Sequence, residues 1–113
     1  MPPRNKFGAK ITTVDGIRFD SLKEAARWQE LRLLERAGEI RNLRRQIAIP
    51  LQGANGPLRT KTGRAMKLTV DFAYQDKRLD WAEVLEDAKG MRTRDFDVRL
   101  AVAEAMGLRV VLS

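Results

Sequence analysis

The sequence predicts an α/β fold, a mixed sheet covered by helices, and three observations carry that expectation. A short hairpin signal opens into a helical stripe at Ser21, three strand-like runs follow, and a second helical stripe precedes a last apolar strand. Helix, strand, strand, strand, helix, strand, with an N-terminal hairpin in front, is the pattern of a mixed sheet with helices laid on it.

Each element has a local physical reason. Residues 1–10 carry Arg4, Lys6 and Lys10 with no acid, and read either as a basic arm that orders on a phosphate backbone or as a frayed terminus. Residues 11–113 form one domain, with a chain long enough for a single core. Ile11 to Val14 and Ile17 to Phe19 flank Asp15-Gly16, a two-residue hairpin signal because both central positions take positive φ. Ser21 has the side chain of an N-cap, and the helix it starts runs to about Ala37, where Gly38 ends it. Glu24, three residues on, either reaches back as the second half of a capping box or faces the sheet, since Trp28 and Leu31 share its stripe.

From Glu39 the pattern turns to strand, with Ile40, Leu43, Ile47, Ile49 and Leu51 along it. Gln52 to Ala65 has glycines, proline and three bases without periodicity, and is expected to be a long mobile hairpin loop. Strands are expected at about 66–75 and 79–88, joined at Gln75 to Arg78, with Leu68, Val70, Phe72 and Tyr74 on one face and Asp71 on the other. Trp81, Val84 and Leu85 are expected to fill the core. A second helix is expected from about Thr93 to Met106, and Leu108 to Leu112 as an apolar strand buried on both faces.

Composition narrows the chemistry. Cysteine and histidine are both absent, which excludes disulfides, thiolate and histidine metal sites, and histidine general bases. Catalysis on this chain runs on carboxylates, lysine, hydroxyls and metal. No apolar run approaches the ~20 residues of a membrane span, and the N-terminus lacks an apolar signal region, so the expected location is the cytoplasm. The net charge is +7 and unevenly spread: residues 40–70 hold seven bases and no acid, whereas residues 71–89 hold six acids against three bases. A basic surface draws a polyanion and an acidic centre draws a cation.

The acidic centre has a definite pattern. Asp71 lies mid-strand, and Asp87-Ala88-Lys89-Gly90 puts a carboxylate and an ammonium on one face of a strand end. Two carboxylates about 4 Å apart repel by roughly 4 kcal/mol at an effective dielectric near 20, so a proton, a cation or distance has to relieve them. Oxygen donors of this kind favour Mg2+ or Mn2+ over zinc.

Glu24, Asp71 and Asp87-Ala88-Lys89, set on this element order, resemble the PD-(D/E)XK nuclease superfamily, whose fold is restriction-endonuclease-like. More closely, Asn5-Lys6-Phe7-Gly8-Ala9-Lys10, Val14-Asp15-Gly16-Ile17, Phe19-Asp20-Ser21, Lys23-Glu24-Ala25 and Glu86-Asp87-Ala88-Lys89-Gly90 are similar to a family of small phage-borne proteins related to phage Holliday-junction resolvases. The resemblance implies that Asp71 and Asp87 ligate the metal with the Ala88 carbonyl. It implies that Glu24 takes a second ion or a metal-held water, and that Lys89 orients or deprotonates the attacking water. Val70 stands where the superfamily's motif has proline. Glu86 is turned away from Lys89 by alternation, and Glu83, in phase with Asp87, is a reserve candidate.

The expectation is therefore a Mg2+- or Mn2+-dependent endonuclease that resolves branched DNA such as a four-way junction, acting as a homodimer in a phage-infected bacterium. Arg4, Lys6, Lys10, Arg59, Lys61, Arg64, Arg92 and Arg94 are the expected nucleic-acid contacts. The alternatives are a less selective nicking, flap or duplex nuclease, and a basic DNA-binding module without catalysis.

Overall fold

The computed structural model describes residues 11–88 and 92–113. Along the chain run β1 (Thr12–Val14), β2 (Ile17–Phe19), α1 (Leu22–Arg36), β3 (Ile40–Pro50), β4 (Gln52–Gly53), β5 (Gly56–Pro57), β6 (Lys67–Asp76), β7 (Ala82–Asp87), α2 (Arg94–Ala105) and β8 (Val110–Leu112). The main sheet is mixed and four-stranded in the order β3-β6-β7-β8. Its first two pairings are antiparallel, and β7 pairs with β8 in parallel. That last pairing follows from α2, which carries the chain back across the sheet.

The hairpin β1–β2 turns on Asp15 and Gly16 at φ 53° and 76°, the positive pair its two-residue loop requires. Asp15 also accepts a hydrogen bond from Trp28 Nε1 at 3.2 Å, which seats the hairpin on α1. The α1 N-cap is Ser21, whose hydroxyl accepts the Glu24 N–H at 3.3 Å. Thr93 caps α2 in the same way through Phe96 N–H, at 3.1 Å.

Two apolar clusters lie on the two sides of the sheet. One gathers Phe19, Trp28 and Leu31 with Phe72, Tyr74 and Val84; the other gathers Leu68, Val70, Ala73 and Leu85 with Phe96, Leu100 and Ala103 of α2. The β6 residues therefore divide. Leu68 and Val70 pack towards α2 but Phe72 and Tyr74 towards α1, so the expected single face of four apolar residues is corrected. The faces exchange at Asp71, opposite Gln46 of β3, whose φ is 48°. Left-handed Gln46 breaks the alternation of β3 at this point, and β6, paired with it in unbroken register, changes face alongside it. A second irregularity, between Arg41 and Arg44, lies further back along β3.

Other expectations also change. Gln52 to Ala65 is a built structure: β4 pairs with β5, Arg59 bridges to Ala65, and Leu51 N–H donates to the Met66 carbonyl at 3.0 Å. The β6–β7 connection is a 3-10 turn at Lys77–Leu79 followed by Asp80 and Trp81 at positive φ. Trp81 consequently leaves the core and lies under the Arg41 guanidinium, 4.2 Å from its ring centre. β8 is an edge strand with Val111 and Leu112 exposed, so it is not buried on both faces.

One polar contact crosses the α1 side of the core. Glu86, fully buried, accepts from Arg27 Nη2 at 2.9 Å and from the Tyr74 hydroxyl at 2.7 Å. Burial pushes the Glu86 carboxyl up, but the Arg27 and Tyr74 hydrogen bonds outweigh it and hold the group below its ordinary value. Removing the cation strands a buried charge, so Arg27→Met should cost about 2–4 kcal/mol, at the lower end for buried pairs because Arg27 is a quarter exposed. Because the carboxyl is held low, the pair stabilises above the ordinary carboxylate range and is lost as pH falls below it. Urea titration of wild type and Arg27→Met should show the largest gap at neutral pH and a shrinking gap below about pH 4.

Candidate active site

The site forms where β6 and β7 part. Their last paired residues are Phe72 and Glu86. One step further the ladder bonds are replaced by carboxylates: Asp71 N–H donates to Asp87 Oδ1 at 3.0 Å, and Ala88 N–H donates to Asp71 Oδ2 at 2.8 Å. Each acid thus satisfies an amide that the opening ladder would otherwise orphan. The main chain of Asp87 stays in the sheet through β8, paired with Leu112 and accepting the Ser113 N–H at 3.0 Å. Asp87 is 1% exposed.

Glu24 reaches the same place from the first turn of α1. Its Oε1 accepts from Gln46 Nε2 at 3.0 Å and lies 3.6 Å from Arg45 Nη2. Gln46 Nε2 also lies 3.4 Å from Asp71 Oδ1, so one amide group stands between the two carboxylates. Glu24 has thus not closed a capping box, because its carboxylate turns to β3. Burial, and then the Asp71 charge, push the Glu24 carboxyl above its ordinary value; Arg45 and Gln46 offset part of this. Arg45 is itself laid over the Phe19 ring, 4.4 Å from its centre.

Three of the expected site residues, Glu24, Asp71 and Asp87, are therefore linked through Gln46 and two backbone amides, with Ala88 beside them. They are not a closed ligand cage: among the described residues no three acidic side chains are gathered tightly enough to hold an ion. The donors are nevertheless hard oxygens, and a polar N–H group occupies the place between Glu24 and Asp71 where a cation would be attracted. In donor chemistry the set fits Mg2+ or Mn2+.

Lys89 lies outside the described residues, as do Arg4, Lys6 and Lys10. The two other acids of β7 are otherwise engaged: Glu86 with Arg27 and Tyr74, and Glu83, which is exposed, with Arg44. Arg59, Lys61 and Arg64 are exposed on the segment after β5. Arg92 is paired with Asp97 at 2.7 Å, and Arg94 is exposed at the start of α2. Gln46 escaped the sequence reading, which followed β3 by its apolar positions. Its left-handed φ and its place opposite Asp71 exist only once β3 and β6 pair.

The same Arg27–Glu86 contact that crosses the core also locates the site. Arg27 is one turn after Glu24 on α1, and Glu86 precedes Asp87 on β7, so the ion pair ties the helix bearing one acid to the strand bearing another.

A family model described as "Protein of unknown function (DUF1064)" matches residues 4–107, and the chain belongs to that family. No curated protein and no solved structure matches the chain. Among the described residues no helix is long and apolar enough to cross a membrane.

The raised Glu24 carboxyl has a consequence for stability. The folded chain binds the proton more tightly than the unfolded one, so ionising Glu24 costs stability as pH rises through its folded range. Glu24→Gln, which keeps an acceptor for Gln46, should raise the melting temperature in chelator-containing buffer at pH 7. The gain should vanish by about pH 3, where the wild-type carboxyl is protonated in both states. Thermal melts of both proteins across this pH range are the check.

Proposed function

We propose that this protein is a metal-dependent endonuclease acting on branched DNA, with a restriction-endonuclease-like core. The observation that carries the reading is the meeting of Glu24 from α1, Asp71 from β6 and Asp87 from β7 where two strands separate. The order of α1, three antiparallel strands, α2 and a fourth strand parallel to β7 supports the same reading.

Asp71, Asp87 and the Ala88 carbonyl are the groups to hold Mg2+ or Mn2+, with Glu24 beside them. Bound there, the ion supplies charge neutralisation at the phosphate and a water acidic enough to attack near neutral pH. The chain's own residues prepare that chemistry. The two backbone amides fix the Asp71 and Asp87 carboxylates before substrate arrives, so little reorganisation is left for the reaction. Glu24, its affinity for a proton raised by burial, is suited to accept one from a water held at the site. Lys89 is assigned to the attacking water by the resemblance of Asp87-Ala88-Lys89 to the nuclease superfamily's motif. A four-way junction presents two equivalent strands, and a homodimer would supply one centre for each. The cytoplasm of a phage-infected bacterium is the corresponding place of action.

A second reading, a basic DNA-binding module without catalysis, is favoured by the absence, among the described residues, of a ready-made cage of three acids. Labelled four-way junction, flap and linear duplex, incubated with Mg2+, Mn2+ or chelator, separate the two. Cleavage strongest on the junction and abolished by chelator is expected. Asp71→Asn and Asp87→Asn should each lower the rate by roughly a hundredfold or more while binding in chelator persists. Binding without cleavage of any substrate in either metal would overturn the nuclease reading. Equal cutting of all three substrates would remove junction selectivity.

A further inference from the structure

The segment between β3 and β6 has a construction that catalysis at the carboxylates does not require. It is two tight turns fused on a common base. The first is the β4–β5 hairpin around Ala54 and Asn55. The second runs from Arg59 to Ala65, closed by Thr60 N–H to the Arg64 carbonyl at 2.8 Å and Gly63 N–H to the Thr60 carbonyl at 2.9 Å. The base is a ring of backbone bonds, with Leu58 N–H to Leu51, Leu51 N–H to Met66 and Met66 N–H to Leu58. Leu51, fully buried, anchors this ring in the α2 cluster, and Leu58 and Met66 pack against the same cluster. Leu58 lies so close over Gly53 that a Cβ there would come within 2.7 Å of its side chain, so the first turn is held against the base. Arg99 pins the far side by donating to the Lys67 carbonyl at 2.8 Å.

This spur is a braced carrier of charge. Arg59, Lys61 and Arg64 are exposed on its second turn, and no acid occurs between residues 40 and 70. Its ligand class follows from what accompanies the charge. The exposed large apolar side chains of the described residues are Ile11, Leu22, Leu33, Leu34, Val98, Val111 and Leu112, none of them on the spur. A membrane surface needs apolar anchors beside the bases, whereas a nucleic-acid backbone needs only the bases. The spur leaves the sheet on the two strands that bear Gln46 and Asp71, five residues beyond each. At about 3.3 Å per residue its base stands roughly 17 Å from Gln46 and Asp71 along the strand pair, and Arg59, Lys61 and Arg64 lie beyond that base. Half a turn of B-DNA is about 17 Å as well.

We infer that the spur is a backbone clamp for double-stranded nucleic acid, with Arg59, Lys61 and Arg64 on phosphates half a helical turn or more from the phosphate presented to Asp71 and Asp87. The half-turn offset rests on the nuclease reading; the phosphate contact stands without it. The clamp carries no sequence information, since phosphate contacts position and base contacts specify.

The test is duplex binding in chelator, read by fluorescence anisotropy over a salt series, for wild type and for the triple change Arg59→Gln, Lys61→Gln, Arg64→Gln. The slope of log affinity against log salt should become shallower by about 2–3, and hydroxyl-radical protection about 5 base pairs or more from the cleavage position should disappear. If the triple variant melts early, Lys61→Gln alone should still reduce the slope by about 0.9. An unchanged slope overturns the clamp, as does wild-type binding to polyglutamate or anionic vesicles as tight as to duplex at equal salt. Lost protection nearer to the cleavage position than about 5 base pairs overturns this placement. Since binding is read without metal, a reduced slope with no cleavage keeps the clamp and discards the nuclease, and cleavage with an unchanged slope does the reverse.

Discussion

Two backbone amides decide where the polar chemistry of this molecule sits. At the end of the β6–β7 ladder, Asp71 N–H and Ala88 N–H bond to carboxylates instead of carbonyls. A buried amide without a partner costs about 1–3 kcal/mol, so the strands can part here only because the acids are present. In return the acids are held at a depth that an isolated carboxylate would resist. The strand opening and the acidic pair stabilise each other, and the rest of the site is arranged around them.

The neighbouring elements then bring the third acid into reach. Capping by Ser21 sets where α1 begins, and the Arg27–Glu86 pair sets how α1 lies against β7. Glu24, one turn before Arg27, is carried to Gln46 and Asp71. The aromatic stack of Phe19, Trp28 and Phe72 fills the space beneath, with ring centres 6.3 and 6.2 Å apart. Gln46 accepts a left-handed backbone, a conformation worth roughly 1–2 kcal/mol in strain, at the point where its amide meets both carboxylates. An element of the sheet, a helix and a strained residue thus share one small volume.

Much of the outline was legible in the residues alone because it depends on neighbours in sequence. Asp15-Gly16 specifies the hairpin, Ser21 caps the first helix, and Gly38 ends it at positive φ. Trp28 and Leu31 mark the buried stripe of α1. Asp71 and Asp87 were legible as candidates from charge set in strand-like runs, and Glu24 through the motif resemblance. By contrast, the exchange of faces at Asp71, the departure of Trp81 from the core and the edge position of β8 depend on pairings across the sheet. Period-two reasoning cannot see a left-handed residue that two paired strands impose.

The sequence by itself determined the local parts: the first hairpin, the bounds of the first helix, which chemistry is impossible without cysteine and histidine, and where charge of each sign accumulates. These follow from torsional preference, capping and side-chain inventory, all of which act within a few residues. Only the tertiary structure decided that Gln46 joins the acids, that Glu86 belongs to Arg27 and Tyr74, and that Gln52 to Ala65 is a braced spur. Those outcomes require contacts between residues far apart in the chain, such as the 59 positions separating Arg27 from Glu86. Such a contact becomes favourable only once packing has removed the water that would otherwise satisfy each group separately.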